Sequence, residues 1–340
     1  MGVLIERPAE QPAERPVERP ASSSQMHHQL LYVMYIILYG TLSLAGICAV
    51  AMFMGSNVAK DIRSLTDERN MPPLLPRTTP TEPAVPMPTG APLFDLPRSH
   101  VGDVPYGVPI FTCANPGQIA LTFNEGPSEW TQTILDALDH YDFKGTFFIA
   151  GSAPTDPNNN SSARHTNVDD PGTGWPALLS RIHESGHQIA SHTYTHARLD
   201  GDGGAEALVN EMVYNEMALR NAFGLIPAYM RPPYGVWRDP NVREQLEGLG
   251  YHVIMHNLDT HDYEHDGPEE ILKSVDMFND IVRIDGNGSY IVQMQDSRQW
   301  TAMVLVPAIL ESMVQRGYQG VTVGECLDDA FFYWYRQPEP

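Results

Sequence analysis

Two histidines separated by three residues, His192 and His196 in SHTYTH, carry imidazole nitrogens at a spacing that can grip one divalent cation. A carboxylate from elsewhere would complete such a site, and Glu125 in TFNEGP is one. In a chain with 13 histidines the pair alone is weak evidence, and no Glu follows the first His as it would in a zincin. Arg231 precedes two prolines in RPPYG, which makes it a rigidly held cation, and the backbone N–H groups beyond it can face a developing oxyanion. Two more polar runs follow, HNLDTHDY (256–263) and IVQMQD (291–296). His261 and His265 repeat the i, i+4 spacing, but no motif supports a second metal site there.

The elements that position these clusters are legible. QIALTF (118–123) reads as a strand, 130–141 as a helix, KGTFFIA (144–150) as a strand, and PALLSRIHESG (176–186) as a helix ending at Gly. HQIASH (187–192) reads as a strand and 205–222 as a long helix. Strands near 227–230, 251–256 and 289–294 and a helix over 301–316 complete the pattern. Strands alternating with helices predict a parallel α/β architecture, barrel or doubly wound, whose active site collects at the C-terminal ends of the strands. All five polar clusters fall there.

The chain has 340 residues, with 21 basic and 42 acidic side chains. The first hundred carry 8 and 9, a net −1; the remaining 240 carry 13 and 33, a net −20. So acidic a body repels phosphate backbones and excludes nucleic acid as a partner. Residues 6–21, ERPAEQPAERPVERPA, repeat a Pro-containing tetrapeptide that cannot bury a core, so 1–29 reads as a disordered arm. Leu30 to Met54 is a 25-residue run without charge. As a helix it spans ~37 Å at ~1.5 Å per residue, enough for a single transmembrane signal-anchor. The alternative is a cleaved secretory signal, because Ala49-Val50-Ala51 has the small-residue cleavage pattern. Nine prolines between 71 and 97 make 55–100 a stiff stalk, and 101–330 is the catalytic-type domain before a short tail, 331–340.

The order and spacing of the motifs resemble the polysaccharide deacetylase (NodB homology) family, its fungal chitin deacetylases in particular. TFNEGP stands where the family has TFDDGP, SHTYTH matches SH(T/S)xxH, and RPPYG matches directly. NLDTHDY resembles DTxDW, and IVQMQD lies where the family has a leucine, one residue, then HD. The resemblance covers about 110–330. It implies a distorted (β/α) barrel, a divalent metal, usually zinc, and action on N-acetylglucosamine polymers such as chitin. By the same resemblance His192, His196 and Glu125 are the metal ligands. Arg231 orients the catalytic base, the backbone at Tyr234 helps bind the oxyanion, and Asp259 or Asp262 tunes the catalytic histidine.

Three positions depart from the pattern. Asn124 occupies the place of the catalytic base, and an amide takes no proton from water near neutral pH. Gln295 replaces the histidine that protonates the leaving amine, and Gln293 replaces the leucine of the acetyl-methyl pocket. The sequence therefore predicts a relative that keeps the groove and binds glycan with lost or weakened hydrolysis. The alternative is an active enzyme with a rearranged set, Glu125 as base and His256 or His261 as acid.

The resemblance also implies a disulfide between Cys113 and Cys326, which belongs in an oxidising compartment. Sequons at Asn159, Asn160 and Asn287 agree with an extracellular body. Basic residues flanking the apolar run, Arg15 and Arg19 before it and Lys60, Arg63 and Arg69 after it, lean by one charge towards the opposite topology. The cysteines, the sequons and the wall-directed family outweigh that lean, so the N-terminus is expected in the cytoplasm and the body outside. Cys48 lies inside the apolar run, where small-apolar packing accounts for it.

Overall fold

Nine short strands, all joined by parallel pairing, make the central sheet of the computed structural model, which describes residues 85–154, 165–285 and 287–337. The strands are β1 (Pro109–Ile110), β2 (Gln118–Gly126), β3 (Thr146–Ile149), β6 (Gln188–Ser191), β8 (Tyr229–Met230), β9 (His252–Ile254), β10 (Leu258–Asp259), β11 (Tyr290–Gln295) and β12 (Gln319–Val321). Their order is β1-β9-β8-β6-β3-β2-β11-β10, with β12 also on β2. Helices α1 (Thr131–His140), α2 (Trp175–Glu184), α3 (Gly204–Phe223), α4 (Pro240–Gly248), α5 (Ile271–Asp285) and α6 (Val306–Arg316) make most of the crossovers. Among the described residues the end strands β1 and β10 do not pair, so the sheet is a curled half-barrel, an open form of the distorted (β/α) barrel expected.

The central strands β2, β3 and β11 are buried at almost every position because helices or the sheet's own curl cover both faces. Phe123, Phe147 and Phe148 are fully buried there, and the rings of Phe123 and Phe147 stack at 5.0 Å. Two antiparallel pairs lie outside this sheet. One joins β4 (Ser152–Pro154) to β5 (His165–Asn167), and the other joins β13 (Tyr335–Arg336) to β7 (Ile226–Pro227). The last predicted helix begins with a π-helical turn, Thr301–Leu305, before α6.

Cys113 and Cys326 are bonded and close a loop with a sequence separation of 213. Cys326 ends a short helix, α7 (Val323–Cys326), whose N-cap Thr322 and Glu325 form a reciprocal capping box. Among the described residues no helix is long and apolar enough to cross a membrane. The anchor at 30–54, the arm, most of the stalk and the sequons at Asn159 and Asn160 lie outside the described residues. Asn287 is described and exposed, in a bend before β11.

Candidate active site

Register brings the three substituted positions together. Strands β2 and β11 are parallel neighbours with Asn124 opposite Gln295 and Thr122 opposite Gln293, so these four side chains share one face of the sheet. A register shift between Asn124 and Gly126, with Glu125 at φ 67°, breaks the alternation and lets Glu125 line the same cavity. Gly126 is required here: a Cβ on it would lie 2.5 Å from Asp296 Oδ2. The cavity has a volume of about 420 Å³. Its walls include Asn124, Glu125, His192, His196, Arg231 and Tyr234, joined by His256, Asp259, Gln293 and Gln295. The strand ends thus gather all five clusters, as the alternating pattern predicts.

Arg231 sits behind the cavity, 1% exposed, with its guanidinium plane over Phe148 at 4.2 Å. Nη1 donates to Asn124 Oδ1 at 2.9 Å and to Thr122 Oγ1 at 2.7 Å, while Nε and Nη2 donate to the carbonyls of Ile254 and Met255. Every partner is neutral. Burial pulls the guanidinium down to about 9, and the charge of Asp259 opposes that shift; Arg231 stays a cation at neutral pH.

His192 follows β6. Its Nδ1 donates to the Arg231 carbonyl at 2.8 Å, which leaves Nε2 as an acceptor, the tautomer a metal ligand needs. Burial holds His192 well below the ordinary imidazole value, and the neighbouring His196 adds to the shift. Burial also lowers His196, against the charges of Glu125 and Glu211. The two rings lie 4.9 Å apart, and His196 Nε2 is 3.6 Å from Glu125 Oε1. Two neutral imidazoles and a carboxylate are a donor set that suits a divalent cation. Among the described residues, however, no three His, Cys, Asp or Glu side chains close around a single point as a formed metal centre.

Asp259 and Asp262, alternatives in the sequence, occupy different places. Asp259 lines the cavity, accepts from Gln293 Nε2 at 3.2 Å, and lies 3.7 Å from His256 Nε2. Asp262 is buried beneath it, where Oδ2 accepts from the Gln295 backbone N–H and from Thr301 Oγ1, both at 2.7 Å. Burial pushes Asp262 up to about 7. Its hydrogen bond from Gln295 comes from the backbone N–H, not from the side chain. Burial, together with the charge of Arg231, lowers His256 to about 4, so it is neutral at pH 7. His261 is absent from the cavity wall and pairs with Tyr263 and Glu264, while His265 bonds Ser274.

Sequence reasoning assigned no role to three side chains around the cavity. Tyr263 and Arg298 line it, and Asp296 underpins the β2 end by accepting from Ser128 and Thr131. Tyr263 and Asp296 stood inside runs already singled out; nothing in the sequence pointed to Arg298.

A curled parallel α/β sheet with a polar cleft at its strand ends is the class of fold this chain adopts. The chain belongs to the polysaccharide deacetylase family, whose model matches residues 112–254. It is 38% identical over 234 residues to a chitin deacetylase of Colletotrichum lindemuthianum, covering 68% of this chain and 88% of that protein. A probable peptidoglycan-N-acetylglucosamine deacetylase of Arthroderma benhamiae is 36% identical over 243 residues, 71% of this chain and 51% of that protein. The solved structure of the Colletotrichum lindemuthianum enzyme superposes with a TM-score of 0.63 at 36% identity, covering 70% of this chain and 99% of that one.

Proposed function

We propose that this protein is a wall-directed member of the family that holds N-acetylglucosamine polymers in its cavity, with amide hydrolysis lost or strongly weakened. One observation carries the reading: the group Arg231 positions is the amide oxygen of Asn124, not a carboxylate. Arg231 can only donate, so the Asn124 amide turns Oδ1 towards it and presents N–H groups on its other end. That end takes no proton from water. Across the register Gln295 has no proton to give a leaving amine. Both proton transfers, each worth ~10²–10⁴-fold in rate, are missing together.

The family's divalent metal, when bound, polarises an amide carbonyl and lowers the pKa of water. His192, His196 and Glu125 are the residues that would hold it. The cavity residues would still orient a sugar, with the exposed ring of Tyr234 at the rim. In this reading residues 30–54 anchor the chain with its N-terminus in the cytoplasm, and the stalk carries the body to the wall. The Cys113–Cys326 bond supports an oxidising compartment.

A second reading, hydrolysis with Glu125 as base and His256 as acid, draws support from their shared cavity. His256, neutral at pH 7, weighs against it as a proton donor. Acetate release from chitin oligomers by the purified protein with added zinc separates the two. The binder reading expects none above background together with retention on chitin. Release abolished by Glu125→Ala and kept by Asn124→Ala would establish the second.

A further inference from the structure

A second side-chain amide in the cavity also has an orientation fixed by chemistry. A carboxylate only accepts, so Gln293 turns Nε2 to Asp259 Oδ2 and leaves Oε1 as an acceptor on the cavity wall. Gln295, 5% exposed, lines the same cavity with Oε1 buried and unpartnered. Beside them stand the Asp259 carboxylate and the neutral imidazole of His256. Of the two positive charges there, Arg298 pairs with Asp266 at 3.0 Å, and Arg231, 1% exposed, faces the Asp259 charge and makes its own hydrogen bonds to other groups. The wall is therefore rich in acceptors and anionic. It offers an acetyl methyl group a polar carbonyl, a poor neighbour, and offers an ammonium group a neutral acceptor beside a carboxylate.

We propose that the cavity takes the deacetylated sugar, a 2-amino unit within a glucosamine-containing glycan, with its ammonium at Gln293 Oε1 and the Asp259 carboxylate. This inference rests on the glycan-binding reading above and names the form of the polymer that is bound. An ammonium has three N–H donors and needs several acceptors to offset its desolvation, which this wall supplies. The net −20 of residues 101–340 draws a polycation towards it over longer range.

The test is calorimetric titration of the full-length protein, in detergent and EDTA, with fully acetylated and fully deacetylated chitotetraose. At ~0.05 M salt the deacetylated tetramer should bind about tenfold more tightly or better, and the preference should shrink at ~0.5 M. Gln293→Leu leaves net charge unchanged, so it separates the cavity from the general acidity of the body; it and Asp259→Asn should each cut the preference severalfold. Gln293→Glu should strengthen it. Tighter binding of the acetylated tetramer overturns the inference and leaves the glycan-binding reading standing. So does a preference for the deacetylated one that survives both Gln293→Leu and Asp259→Asn. If neither tetramer binds, both fall.

Discussion

Replacing Glu216 by Gln should cost the folded body about 3 kcal/mol, the lower end of what breaking a buried ion pair costs. Glu216 lies on α3 with no exposure and receives side chains from three distant stretches of chain. Arg98 donates to both of its carboxylate oxygens, with Nη2 at 2.6 Å from Oε2, and Tyr251 donates its hydroxyl at 2.7 Å. Arg336, from β13, lies 3.3 Å away. The carboxylate thus clasps the segment before β1 and the C-terminal strand to the same helix. Glutamine keeps the shape and removes the charge, leaving two largely buried guanidiniums facing an amide. The loss stays near the lower end because the arginine side chains retain 8% and 12% exposure and bond the carbonyls of Leu249 and Gly250 as well. For a body of this size that is a fall in Tm of roughly 6–12 °C. Urea unfolding followed by tryptophan fluorescence reports it as a lower midpoint at unchanged slope. Combining Glu216→Gln with Arg336→Met should cost less than the sum of the two alone. A loss of stability under about 0.5 kcal/mol, or strict additivity, would refute the clasp.

Other consequences are equally direct. The Asp262 carboxyl, raised to about 7 by burial, binds a proton in the folded state that the unfolded chain releases near 4. Its contribution to stability is therefore full below about pH 4 and is lost as pH rises through about 7. Asp262→Asn should gain stability relative to the parent as pH goes from 5 to 8 in paired urea titrations; a difference flat in pH refutes the assignment. Opening the Cys113–Cys326 bond with the double alanine variant releases a loop of sequence separation 213, for which chain entropy predicts a loss of up to ~5 kcal/mol. A loss under about 1 kcal/mol would show that the closed loop constrains the unfolded chain little.

The strand ends were legible because period and chemistry coincide: an apolar run stops, and a His, Arg or Asp follows. The apolar pattern of QIALTF ends at Phe123, yet β2 continues to Gly126 through the bulge at Glu125. Alternation breaks there through a backbone φ of 67°, which side-chain types do not encode. The two-residue strand β10 is too short to have a period, and only its neighbour β11 makes it a strand. The substitutions at Asn124 and Gln295 were visible against the family motif. Their pairing across β2 and β11, and the hold of Arg231 on Asn124, depend on register and burial. The separate placing of Asp259 and Asp262 likewise follows from which oxygen finds a donor, Gln293 for one and Thr301 for the other.

The central proposal is that this site has lost its two proton-transfer groups. Asn124→Asp places a carboxylate where Arg231 already donates, and Gln295→His places an imidazole directly across the register. Acetate release from chitin oligomers, measured with added zinc on the parent and on the double variant, tests this most directly. The account predicts background release by the parent and a gain of at least about 10²-fold in the double variant. Turnover by the parent at or above the rate of the double variant would contradict it.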